Sequence, residues 1–155
     1  MRIYRYLKHG IKNLVYWFPV IWGDRNFDHY YLTAILRHKI NDMVKFYDGP
    51  HAWGMDAPKL AHEMKVCRII LDRLIEDDYN REGYDAHDKK WGELTFERGV
   101  LGNILLKRSK RVTKEEEEIE QKEWSEVYKK EENDKEKDIE TLFDIMRKNI
   151  RNWWD

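Results

Sequence analysis

The segment "APKLAHEMKVCRIILDRLIEDD", residues 57–78, decides the fold class. Within it Leu60, Met64, Cys67, Leu71 and Leu74 (or Ile75) recur every three to four residues. That is the period of one helix face, not the alternation of a half-buried strand. Asp56 stands where an N-cap belongs. Pro58 falls in the first turn, where a missing N–H costs nothing. The spacing therefore predicts a helix over 57–78. Upstream, Phe27, Tyr31, Ile35 (or Ala34), His38, Ile40, Val44 and Tyr47 repeat the pattern. They predict a helix over 24–47, capped by Asp24 and stopped by Asp48, Gly49 and Pro50. A connection of about nine residues lets the two fold back as an antiparallel hairpin.

A third stripe closes the chain: Ile139, Leu142, Phe143, Met146, Ile150 and Trp153, ending in "NWWD". Two tryptophans carry a large apolar area. This end should dock on its own core or on a sister subunit. The segments between are polar. Tyr79–Lys90 reads as a surface loop. Residues 91–112 have no decisive period: Gly99 and Gly102 weaken a helix, and the alternation is too brief for a firm strand. Residues 113–138 are dominated by Lys and Glu, with Ile119, Trp124, Val127 and Tyr128 as their sizeable apolar groups. They read as an exposed helix or a mobile arm, dispensable for folding, with Glu115–Glu118 at the favourable end of the dipole. The expected fold is all-α: one small helical domain with an antiparallel helix hairpin and a C-terminal docking helix, oligomeric.

Composition narrows the function. A chain of 155 residues with 41% apolar and 14% aromatic residues can bury a sizeable core. Charged residues are 38% of the chain, yet the formal net charge is only −1. Binding of long nucleic acid by bulk electrostatics is thereby disfavoured. The single cysteine, Cys67, cannot close an internal disulfide and reads as a small buried hydrophobe, in keeping with a reducing compartment. The N-terminus is basic and then apolar, and Pro19 interrupts it. It lacks the features of a signal peptide. The run Leu14–Trp22 is far short of the ~20 residues that span a bilayer. Trp17, Phe18 and Trp22 read as core or subunit interface. The alternative is an interfacial anchor with Lys8 and Lys12 toward anionic lipid.

No strong catalytic motif is present. His62–Glu63 opens like a zinc-protease helix, but Val66 stands where the second histidine belongs. Phosphate loops, dinucleotide fingerprints and nucleophile elbows are missing. Asp24 and Asp28 share a face, though Asp24 reads better as a cap than as half of a dyad. Arg25 is a cation in a first helical turn, against the dipole, so it needs an anionic partner. An ordinary ion pair to Asp28 or Asp77–Asp78 would serve; so would an anionic ligand. The loop "HAWGMDAPKLAH" supplies His51, Trp53 and Gly54 before a helix N-terminus, with Lys59 beside it. Imidazole and indole can stack on a base, and Lys59 can neutralise a phosphate. The ordinary alternative is a helix connection whose Trp53 closes the core.

"WFPVIWGDRNFDHYYL" (17–32), "HAWG" (51–54), "MKVCRIILDRLIEDDY" (64–79) and "NWWD" (152–155) together resemble a widespread family of small bacteriophage proteins. The resemblance covers the first half and the last helix; residues 79–138 do not align by eye. It extends to anti-CBASS sponge proteins, which bind cyclic dinucleotide signals without cleaving them. That implies a non-enzymatic immune-evasion protein of the host cell cytoplasm, without cofactor or metal. Its partners would be a cyclic dinucleotide such as 3'3'-cGAMP and further copies of itself, a tetramer being one arrangement, with no membrane. Ligand contacts would fall on Arg25, Tyr30, His51, Trp53, Gly54 and Lys59, a choice that rests on their chemistry. The competing readings are a phage accessory protein that binds a host factor and an enzyme acting on a nucleotide.

Overall fold

The computed structural model describes residues 2–23, 29–50, 52, 56–98, 104–111 and 113–154. In chain order they form α1 (Arg2–Ile21), α2 (His29–Tyr47), α3 (Ala57–Glu76), α4 (Arg81–Trp91), β1 (Leu94–Arg98), β2 (Ile104–Arg108) and α5 (Lys114–Asn149), then a 3-10 turn, Asn152–Trp154. The protein is mostly helical with one short antiparallel strand pair, so the all-α expectation holds except for that pair. Contacts divide the chain into two compact units, Met1–Asp77 with Ile139–Asp155, and Asp78–Asp138.

The first unit is built on the expected hairpin. Arg37 pairs with Asp72 at 2.7 Å, and Asp48 pairs with Lys65 at 2.6 Å. Moving forward from Arg37 to Asp48 thus means moving back from Asp72 to Lys65, which makes the helices antiparallel. The expected stripe of α3 is the one buried: Met64, Cys67 and Leu71 lie in the core, with Leu60 and Leu74 packed against it. From α2 come Ile40, Met43 and Val44, with Leu36 and Tyr47 beside them. α3 starts after Asp56 as expected, but the Asp56 side chain makes no capping hydrogen bond; the helix ends two residues earlier than expected, at Glu76. Asp77 follows at φ 52°, a left-handed position that Asp tolerates, and its N–H closes on the Arg73 carbonyl.

The C-terminus docks on this same core. Trp153 is 2% exposed; the Tyr47 hydroxyl donates to its carbonyl at 2.6 Å, and its indole N–H donates to Glu63 at 3.4 Å. Leu142, Ile145 and Met146 pack with it, whereas Ile139, Phe143 and Ile150 turn outward. The buried face of the last helix is therefore rotated from the expected stripe. The need of Trp153 for cover is met within its own unit.

The second unit corrects the polar-loop reading of Tyr79–Lys90. Residues 81–91 form α4, with Glu82 in its first turn and Lys89 and Lys90 in its last, both matched to the helix dipole. Gly83 is needed for packing: a Cβ there would come within 2.6 Å of the Asn80 side chain, whose Nδ2 donates to the Val127 carbonyl. Gly92, at φ 81°, ends α4 in a region that favours glycine. The chain then enters a hairpin in which Leu94 faces Arg108, Phe96 faces Leu106 and Arg98 faces Ile104. Within the undecided stretch 91–112, residues 94–98 and 104–108 are thus a strand pair, both strands largely exposed, while Gly99 and Gly102 lie outside the described residues.

α5 opens with a capping box. Thr113 Oγ1 accepts from the Glu116 N–H at 3.2 Å, and the Glu116 carboxylate accepts from the Thr113 N–H at 2.9 Å. The segment 113–138 is helical throughout its length beyond this cap, and one side of it is packed. Glu120, Glu131 and Asp138 are buried, with Val127 half-buried between them. Arg108 donates to Glu120 at 3.2 Å, to the Gly92 carbonyl at 3.0 Å and to Asp88 at 2.5 Å, and lies over the Trp124 ring. The Tyr84 hydroxyl donates to Glu131, and Tyr79 donates to Asp138 at 2.8 Å. A face that reads as solvated in sequence is here the inside of a polar core.

Candidate functional site

Of the six residues with ligand chemistry, Arg25, His51, Trp53 and Gly54 lie outside the described residues. So do Asp24 and Asp28. Tyr30 is 43% exposed in the first turn of α2, edge-on to Tyr31 at 5.2 Å between centroids. Lys59 is exposed in the first turn of α3. The antiparallel pairing sets these two at opposite ends of the hairpin, roughly 25 Å apart along the helix by a 1.5 Å rise per residue. Within one chain, Tyr30 and Lys59 do not share a site.

Titratable clusters elsewhere are structural. Arg108 and Glu120 are closed in, and His87 lies 3.5 Å from the Glu120 carboxylate with its own side chain buried. That leaves no room beside them for a substrate. Cys67 is fully buried; burial, with Glu63 nearby, pushes its thiol up to about 11, so it stays protonated at neutral pH. Its reading as a small hydrophobe is borne out. Hydrogen bonds from Lys90 and Trp91 hold the Glu123 carboxyl below its usual range, as befits a clamp between α4 and α5.

The surface that stands out is α1. Every residue from Ile3 to Val15 is exposed. Against the described residues, only the end of this helix is packed: the Tyr16 hydroxyl donates to the His38 carbonyl at 3.1 Å, and the rings of Tyr16 and Trp17 lie 4.1 and 5.0 Å from the His38 ring. Burial holds the Tyr16 phenol above its usual range, with Asp42 adding to the effect. Phe18 and Trp22 stack on each other at 4.9 Å and are 47% and 75% exposed, which overturns the core alternative for them and leaves the subunit-interface one untouched. The helix runs through Pro19 to Ile21, because a proline one turn from the end removes only a late hydrogen bond.

Ile3, Leu7, Ile11, Leu14, Phe18 and Ile21 recur at gaps of three or four, so they line one face. With Tyr6 and Gly10 the first four frame a shallow apolar saddle of about 570 Å³. Gly10 makes the floor, since nothing lies within 4 Å of where its Cβ would be. Arg5, Lys8 and Lys12 fall on the opposite flank by the same period, and the first acid in the chain is Asp24. The sequence holds this signal in full. Its apolar residues are spaced out before the contiguous run Leu14–Trp22, so no continuous apolar stretch marks them.

No protein-family model, no curated protein and no solved structure matches this chain. No helix among the described residues is long and apolar enough to cross a membrane.

Proposed function

We propose that this chain acts by docking, with α1 as the docking element and the rest of the chain as what it carries or presents. One observation supports the reading: thirteen consecutive exposed residues, Ile3–Val15, form an amphipathic helix whose apolar face is covered by none of the described residues. A helix of this length is marginal in water by itself, and Gly10 weakens it further. Contact with a partner would supply the missing stability. A photoreactive amino acid at position 7 tests this in cells. An adduct, to protein or to lipid, is expected, and Leu14→Glu should abolish it. No adduct, or one indifferent to Leu14→Glu, would defeat the reading.

Capture of a cyclic dinucleotide, the role implied by the resemblance to phage sponge proteins, is a second reading. Lys59 favours it, being exposed in a first helical turn with backbone N–H groups beside it. Because Tyr30 and Lys59 sit at opposite ends of the hairpin, this reading needs an oligomer that brings the ends of different chains together. Equilibrium dialysis against 3'3'-cGAMP, followed by heat release and analysis of the nucleotide, tests it. Unchanged ligand is expected; failure to deplete the ligand would remove the reading.

A further inference from the structure

From the charge distribution along α1 we infer that its occupant is the surface of an anionic phospholipid bilayer, on which the helix lies in the interfacial plane. The inference rests on the docking reading and names the partner.

Arg2, Arg5, Lys8 and Lys12 give the segment before Asp24 a formal charge of +4. The whole chain is −1, so the remainder is −5. An anionic surface would attract α1 and repel the rest, which orients the protein with this helix down. The apolar face fits the same occupant. Ile3, Leu7, Ile11, Leu14 and Phe18 are open-faced aliphatic and aromatic groups, suited to the boundary between headgroups and acyl chains. Tyr4, Tyr6 and Trp22 are exposed at 71%, 85% and 75%. Tyr and Trp prefer that boundary, where the ring is buried and the polar tip stays wet. The helix carries four cations and is apolar on one face only, so it would lie on the bilayer rather than span it.

The chief rival is a second copy of the chain. Packing two α1 helices face to face would cover the apolar face but leave the basic flank of each helix outermost, with no acid on either helix to offset it. A bilayer containing anionic lipid covers the same face and adds attraction for the cations that flank it. Juxtamembrane basic residues each strengthen binding to such a surface by about fivefold.

Sedimentation of the full chain with phosphatidylglycerol–phosphatidylcholine vesicles tests this, with pure phosphatidylcholine vesicles as control. The protein should sediment with the anionic vesicles and stay in solution with the neutral ones. Tryptophan emission should shift to the blue as Trp22 leaves water. Lys8→Gln and Lys12→Gln should each weaken binding about fivefold. Leu7→Glu with Leu14→Glu should abolish it while leaving the melting temperature unchanged, because those side chains contact no core. Equal binding to neutral vesicles would overturn the electrostatic half of the proposal. Absence of binding to anionic vesicles would overturn it outright. If the protein is then a dimer by light scattering that Leu7→Glu dissolves, a second copy covers the face and the docking reading survives. If it is a monomer and the cellular adduct is also missing, both fall.

Discussion

The two compact units solve the problem of an interior in opposite ways. Among the described residues, eleven of the twelve buried hydrophobic ones are in the first unit, and the exception is Trp91. The six buried polar or charged residues among them, Asn80, His87, Arg108, Glu120, Glu131 and Asp138, are all in the second. An apolar core is held by non-directional burial, tolerates shape-conserving swaps and is costly to hollow out. A polar core is held by geometry. Each group has already lost its water, so removing one partner leaves another stranded. Buried Nδ1 of His87, which has no partner among the described residues, shows that such a core is hard to satisfy completely. The difference teaches that the two units should fail under different substitutions, even though they share α5.

Arg108→Met is the harshest test. The Arg108 side chain is 2% exposed and bridges Asp88, Gly92 and Glu120. Its loss leaves Glu120 buried with only longer contacts, to Arg111 at 3.4 Å and His87 at 3.5 Å. Breaking one side of a buried ion pair costs about 3–5 kcal/mol. We expect early hydrogen exchange in α4 and an earlier calorimetric transition. Arg108→Met with Glu120→Met should recover much of the loss, because a buried pair replaced whole is often neutral. If the double variant is as unstable as the single, the carboxylate is not what makes the single costly.

Leu71→Ala is the counterpart in the first unit. Leu71 is fully buried, and truncating such a residue costs about 2–5 kcal/mol. Cys67 is a built-in reporter, one turn away and fully buried. Its labelling by a thiol reagent requires opening of the core, and each 1.4 kcal/mol changes a rate limited by that equilibrium about tenfold. Labelling should therefore accelerate by roughly one and a half to three and a half orders of magnitude. Unchanged labelling would mean that Cys67 is reached by a local motion that leaves the core closed.

What the sequence revealed follows the same division. Periodicity found α2, α3 and their hairpin because apolar residues mark their buried faces: Leu60, Met64, Cys67, Leu71 and Leu74 were all legible. It failed for the second unit because hydrophobic pattern treats Glu120, Glu131 and Asp138 as surface. Their spacing is helical, but only the partners Arg108, Tyr84 and Tyr79 reveal that this side is inside, and those partners are distant in sequence. α4 is hidden for the same reason: its contacts run to α5 through His87, Tyr84 and Trp91. The strands carry no decisive pattern because Phe96, Ile104 and Leu106 are exposed and give no one-sided burial. Of the candidate ligand residues, only Tyr30 and Lys59 fall among those described, and an antiparallel hairpin separates them. The α1 face was readable throughout, but exposure is a property of what the rest of the chain fails to cover, which no local pattern reports.

Tyr84→Phe should have a smaller effect than either core variant, and one that depends on pH. Loss of a hydrogen bond to a charged group costs about 1.5–3 kcal/mol. Burial, then the hydrogen bond to the Glu131 carboxylate, pushes the Tyr84 phenol from its usual 10.0 up to about 12. The folded state therefore keeps this proton where the unfolded state has lost it. The contribution is fully present below pH 10 and disappears as pH rises toward about 12. Chemical denaturation at pH 8 and at pH 11.5 should show a wild-type loss that Tyr84→Phe largely removes. Parallel curves for the two proteins would show that this tyrosine titrates alike in both states.

The gentlest test concerns the start of α5, where the second unit's geometry depends on a single turn. Thr113 and Glu116 satisfy each other's backbone N–H groups, at 3.2 and 2.9 Å. Three glutamates in the first turn add favourable charge at the positive end of the dipole. Thr113→Ala removes one acceptor at an exposed position, which typically costs about 1 kcal/mol. Thr113→Ser should restore the stability, because serine offers the same oxygen. Glu116→Gln should keep the reciprocal bond and lose only the charge, a change of about 0.3–1 kcal/mol that salt screens away. Measured by urea unfolding at low and high salt, the alanine variant should be weakened equally in both and the glutamine variant only in the first. Were the alanine variant as stable as wild type, the cap would be a consequence of α5 being held by Glu120 and Arg108, and would contribute nothing to holding it.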